Sequence, residues 1–301
     1  MANSKVLEEF EQAIEGAKKV PKEALMFTYK GVTYPHANCD VETFKTIETF
    51  EAREEDLMMV SYPKCGCNWT LLLLHSIVYA AYKKPPASIV PLIEFKAPNK
   101  FEKLKADPSP RIIASHMSYD NIPQSFIDKR VKMLVTYRNP KDAAVSLFHF
   151  YNMNPMLPSY DSWDEFFQDF IAGKVIYGSY FDHAVAWNKH LDEDTIMLMT
   201  FEDMKENLEE QVKKMCEFFG ISLPEEEVKQ IAEKGTFKSM KENSGKTHGV
   251  LAPLIFRKGE IGDWKNYFSE AQSQEVDAKF EECLAGTKLG ERLNYNVHCK
   301  W

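Results

Sequence analysis

Four short β-rich runs punctuate the chain: Leu57–Tyr62, Arg111–Ser115, Val131–Tyr137 and Thr195–Phe201. Three of them are near-continuously apolar, as expected for strands covered on both faces. Stretches with apolar residues at helical spacing separate them. Trp69–Lys83 follows the first run, Pro140–Tyr151 the third and Met204–Phe219 the fourth, with Ser162–Ala172 and Tyr180–Leu191 between. Asn139 is placed as an N-cap, with Pro140 at the first helical position. Strands alternating with helices predict an α/β fold with a central parallel sheet and helices on both faces. No internal repeat, low-complexity tract or long Gly/Ser/Pro linker interrupts the pattern, so residues 1–301 are expected to form a single domain.

Composition narrows the function classes. The 301 residues carry 37 Lys and Arg against 45 Asp and Glu, a formal charge of −8. That balance argues against nucleic acid as a partner, because such binders need a basic face. A small anionic ligand in a local basic pocket stays compatible with it. Met1–Val20 holds Glu8, Glu9, Glu11 and Glu15 among apolar residues and reads as an amphipathic surface helix, not a secretory leader. The longest apolar run, Trp69–Tyr82, contains His75 and Ser76 and falls short of the ~20 residues of a membrane span. Six cysteines without a leader point to reduced thiols and a cytoplasmic location. Cys65 and Cys67 form a C-x-C pair with no second pair nearby, which gives zinc little support.

In open α/β sheets, ligands bind beyond the carboxyl ends of the strands. Those ends carry Lys64, His116, Arg138 and the run Phe201-Glu202-Asp203. The segment Tyr62-Pro63-Lys64-Cys65-Gly66-Cys67-Asn68-Trp69 joins a strand to a helix, where free amides and the positive helix end make an anion site. Lys64 adds a charge, and Gly66 allows close backbone approach. The Walker motif is incomplete, since no Ser or Thr follows the lysine to hold Mg²⁺. A tight structural turn with a surface lysine would show the same spacing.

Arg138 precedes the capped helix that carries Ser146, and a guanidinium there suits a phosphate dianion. An ion pair with Asp142 is the bland alternative. Arg257-Lys258-Gly259 is a third cationic element, at the start of a glycine-flanked loop. Trp69 and Phe237 could supply flat surfaces for a purine. A phosphorylated nucleotide held without metal beside His116 points to group transfer. Cys65 or Cys67, close to a lysine and a helix N-terminus, is expected to have a lowered thiol pKa and to be oxidation-sensitive.

Three motifs together resemble the cytosolic sulfotransferases across nearly the whole chain. They are Tyr62-Pro63-Lys64-x-Gly66-x-x-Trp69, Arg138-Asn139-x-Lys141-Asp142-x-x-Val145-Ser146, and Arg257-Lys258-Gly259-x-x-Gly262-Asp263-Trp264-Lys265. The Cys65-Gly66-x-Asn68 variant of the first is most similar to family 6, subfamily B.

The resemblance implies a P-loop-like nucleotide-binding fold and the sulfonate donor 3′-phosphoadenosine 5′-phosphosulfate (PAPS), with no metal. It implies that Lys64, Cys65, Gly66, Cys67, Asn68 and Trp69 form the donor loop, and that Lys64 contacts the oxygen bridging phosphate and sulfonate. It assigns the 3′-phosphate to Arg138 and Ser146 with Arg257, Lys258 and Gly259. Trp69 and Phe237 sandwich the adenine, with Phe201 and Thr236 also in the donor site. His116 is the catalytic base, and a small hydroxyl compound is the acceptor, phenolic or iodothyronine-like. Phe148, His149, Phe150, Tyr151 and the segment Lys241–Ile255 are the expected acceptor wall.

The chain departs from the family at four places. Cys65, Cys67 and Asn68 replace loop hydroxyls. Ala114 stands where many members have a lysine, and Phe201 where they have a nucleotide-contacting tyrosine. Of the dimer motif K-x-x-x-T-V-x-x-x-E only Lys265 survives, which leaves a homodimer through that motif unsupported. A nucleotide-binding protein without turnover and a P-loop nucleotide kinase are the competing readings.

Overall fold

The computed structural model describes residues 2–83, 92–249 and 252–301. The chain first makes a two-stranded antiparallel hairpin, β1 (Met26–Tyr29) and β2 (Val32–Pro35). Its two-residue turn, Lys30-Gly31, has φ of 48° and 79°. That is the doubly positive geometry of a tight hairpin turn. The sequence pattern gives no hint of it, because the usual Asn-Gly or Asp-Gly signal is missing.

The main sheet contains β3 (Leu57–Ser61), β4 (Ile112–Ser115), β5 (Lys132–Tyr137) and β6 (Ile196–Thr200), in the order β4-β3-β5-β6. Every pairing in it is parallel. Alternation along the strands feeds two cores. Met58, Val60, Met133, Val135 and Tyr137 face one, while Leu57, Met59, Leu134 and Met199 face the other. The helix Cys67–Tyr82 packs in the second core, and the helices Pro140–Met153 and Tyr180–Asn188 in the first. The expected parallel sheet with helices on both faces is therefore present.

Each strand is shorter than its apolar run. Tyr62 leaves β3, and its buried hydroxyl donates to the Gly178 carbonyl at 2.8 Å. Arg111, just before β4, forms a buried ion pair with Asp56. Phe201 belongs to the helix Phe201–Glu206, where Thr200 and Asp203 cap each other reciprocally. The stretch expected as one helix over Met204–Phe219 breaks at Asn207, whose side chain accepts from the Glu210 amide and starts the helix Leu208–Phe219. Among the described residues no helix is long and apolar enough to cross a membrane.

Candidate active site

The strand ends place the chemistry. Ser115, Tyr137 and Thr200 are the last residues of β4, β5 and β6, so His116, Arg138 and Phe201 come immediately after them. Lys64 follows β3 by three residues. All four line one cavity at this edge of the sheet. Every residue predicted for the donor site and for catalysis lines it except Cys65 and Thr236. Cys65 is fully buried in the core beside Tyr62 and Tyr137. Thr236 is exposed and caps the helix Phe237–His248 by accepting from the Ser239 amide.

The first loop is built for an anion. Gly66 has φ 102° and caps the helix Cys67–Tyr82. A Cβ there would press on Met204 at 3.2 Å and Phe201 at 3.4 Å, so only glycine fits without adjustment. The first intrahelical bond runs from the Thr70 amide to the Gly66 carbonyl. The amides of Cys67, Asn68 and Trp69 thus have no intrahelical acceptor. Lys64 Nζ sits 4.3 Å from the Phe150 ring centre and donates to the Leu254 carbonyl at 3.2 Å. Burial, with the Arg138 and Arg257 charges, pushes its ammonium down to about 7. A cation so short of counter-charge gains by receiving an anionic ligand.

His116 is held on three sides. Its backbone amide donates to Glu94 Oε1 at 2.8 Å, and its carbonyl accepts from His183 Nε2 at 3.2 Å. Its Nδ1 lies 2.6 Å from the Ser61 carbonyl oxygen. A carbonyl only accepts, so Nδ1 carries the proton and Nε2 keeps its lone pair. Burial above all, and the Lys64 charge, lower the imidazole to about 4 against the opposing Ser61 bond. The ring is therefore neutral at neutral pH.

Arg138 stacks over Phe201 at 4.3 Å and donates through Nη2 to the Glu260 carbonyl at 2.5 Å. Asp142 Oδ2 is 3.7 Å away, so the simple ion pair is present but long. The buried Arg138 Nε has no hydrogen-bond partner among the described residues. Ser146 faces the same cavity two turns into the helix. Trp69 is fixed by a 2.7 Å bond from Nε1 to the Gly235 carbonyl, with Phe201 edge-on at 5.3 Å. Gly259, at φ 67°, lies so close to Phe237 that a Cβ would meet its ring at 2.5 Å.

Two expectations change. Burial raises both loop thiols, Cys67 to about 12 and Cys65 further, so neither is activated by the nearby lysine. Native-state alkylation followed by peptide mass spectrometry is expected to label half-exposed Cys283 ahead of both. Turnover should then be unchanged; label on Cys67 with loss of activity would contradict this. Of the expected acceptor wall, Phe150, Leu254 and Ile255 line the cavity. Phe148 packs against Trp163, His149 bonds to Tyr267, and the Tyr151 hydroxyl accepts from the Ile176 amide. Val250 and Leu251 lie outside the described residues. Pro35, Asn38, Phe95, Met156, Ile176 and Tyr177 line the cavity without having been singled out in the sequence.

The sulfotransferase domain model matches residues 54–288. Sulfotransferase 6B1 of Homo sapiens is 47% identical over 298 residues, covering 99% of this chain and 98% of that protein. Its Mus musculus counterpart is 46% identical over 297 residues, covering 98% of both. The crystal structure of mouse sulfotransferase SULT7A1 complexed with PAP superposes with a TM-score of 0.82 at 33% identity, over 92% of this chain and 100% of that one. Full-length identity at this level, together with a domain match that contains all the strand-end residues above, means that the chain belongs to the sulfotransferase family.

Proposed function

We propose that the chain transfers the sulfonate group of PAPS to the hydroxyl of a small, largely apolar phenol, with His116 as general base and Lys64 at the leaving phosphate. The observation that carries this reading is the His116–Ser61 bond, which leaves Nε2 basic inside the same cavity as Lys64 and Arg138. The Arg138 Nε, unpartnered among the described residues, and loop amides that lack an intrahelical acceptor fit a ligand with two phosphate-type groups. The adenine would lie between Trp69 and Phe237. Six unpaired cysteines accord with a reducing, cytosolic setting.

His116 Nε2 takes the acceptor's O–H proton as that oxygen bonds to sulfur. The bond from sulfur to the bridging oxygen breaks, and Lys64 with the loop amides meets the charge left on the 5′-phosphate. In-line transfer of this kind depends on positioning and charge stabilisation. The acceptor side is mostly apolar, with Phe95, Phe150, Met156, Ile176 and Tyr177, which suits an aromatic alcohol.

Incubation with labelled PAPS and a panel of phenols, iodothyronines and sterols tests the reading. Labelled product with equimolar PAP (the desulfonated donor) is expected for at least one phenol. Tight PAP binding with no transfer to any acceptor would favour a binding protein instead. Mg²⁺-dependent consumption of ATP would favour a nucleotide kinase. The 3′-phosphate assignment has its own test. Arg138→Ala removes a charged hydrogen-bonding group and is expected to raise the donor KM about 10–100-fold. An unchanged donor KM in initial-rate kinetics would refute it.

A further inference from the structure

Asp263 stands behind the cavity wall. Its carboxylate is only 3% exposed and does not line the cavity, whereas Arg257 and Lys258 both do. Oδ2 accepts from Arg257 Nη2 at 2.5 Å, and Oδ1 accepts from Lys258 Nζ at 2.6 Å and from Asn266 Nδ2 at 3.0 Å. One donor of each cation is thus occupied on the far side. A guanidinium has five donors and an ammonium three, so Asp263 leaves the other donors of both residues unengaged.

The backbone on either side of Asp263 is also fixed. Asp142 Oδ2 accepts from the Gly262 amide at 2.7 Å and Oδ1 from the Trp264 amide at 3.0 Å. Asp142 belongs to the first turn of the helix that follows Arg138. The loop with Arg257 and Lys258 is therefore tied to the strand end that carries Arg138.

We propose that Asp263 is a positioning residue for the nucleotide's 3′-phosphate, holding Arg257 and Lys258 side by side through its two oxygens so that both face the same ligand oxygens. This rests on the PAPS reading above and goes a step further, to how the 3′-phosphate is distinguished from a bare ribose. Two adjacent cations repel each other, and long side chains lose rotamer freedom when they close on an anion. A carboxylate behind them offsets the repulsion and settles their conformations before the ligand arrives.

The test compares two ligands by calorimetry: PAP, which has the 3′-phosphate, and 5′-AMP, which lacks it. Asp263→Ala is expected to weaken PAP about 10–100-fold, as for loss of charge-assisted contacts, while 5′-AMP affinity is unchanged. At saturating PAPS, kcat should hold and the donor KM should rise. Asp263→Asn keeps shape and one acceptor and should fall between wild type and alanine. Equal weakening of both ligands would mark a merely structural role, and unchanged or tighter PAP binding would also overturn the proposal. Retained 5′-AMP binding shows that a variant is folded; if the alanine protein fails that check, the asparagine protein decides. Wild-type protein that does not prefer PAP over 5′-AMP would sink the PAPS reading itself, and this inference with it.

Discussion

His116→Ala is expected to lower kcat about 10²–10⁴-fold, the range of a positioned general base, while PAP affinity stays at the wild-type level. The separation follows from geometry. The bonds from His116 to its neighbours run to Ser61, Glu94 and His183, none of which belongs to the donor loop or the phosphate clamp. The pH profile gives a second signature. In the proposed base role the neutral imidazole is the active form, so kcat/KM for the donor should fall only as pH drops through about 4. An unperturbed histidine would put that limb near ~6.5. Wild-type turnover in the alanine protein would remove His116 from the base role.

Lys64→Ala carries the second large effect. Removing a preorganised charge from the point where negative charge develops costs about 10²–10³ in kcat. In the free protein Lys64 is poised near about 7, because burial and two arginines disfavour its ammonium form. The proposed role at the leaving phosphate needs the charged form, so donor kcat/KM should decline as pH rises through that value. Together with the His116 limb this gives a bell. Lys64→Arg keeps a charge that does not titrate in this range. Whatever rate it retains, the basic limb should vanish. A basic limb that persists unchanged in the arginine protein would assign it to another group.

The main sheet was legible because its strands are buried on both faces, and near-continuous apolar runs announce that directly. The strand-end rule then brought Lys64, His116 and Arg138 to one edge. Local parity was not legible. Cys65 and Cys67 are two residues apart, yet Gly66 starts the helix between them, which sends one thiol into the core and leaves the other at the cavity. Residues 148–151 form one turn of helix, so their side chains fan out over different faces. Only Phe150 reaches the cavity.

Long-range partners were equally hidden. Glu94 has no motif around it, but it is fully buried, and its two oxygens accept from the His116 amide and the Ser115 hydroxyl. Nothing in the local sequence links it to a residue 22 positions away. Asp263 was visible as a letter in a motif, but its position behind two cations is a property of the folded loop alone.

The decisive measurement is a crystal structure with PAP. The 3′-phosphate is expected within hydrogen-bonding reach of Arg138, Ser146 and Arg257, and the 5′-phosphate on the Lys64 loop. The adenine should lie between Trp69 and Phe237, with His116 Nε2 facing the open acceptor side. A nucleotide bound away from Arg138 and Lys64, or a His116 ring cut off from the 5′ end, would contradict it.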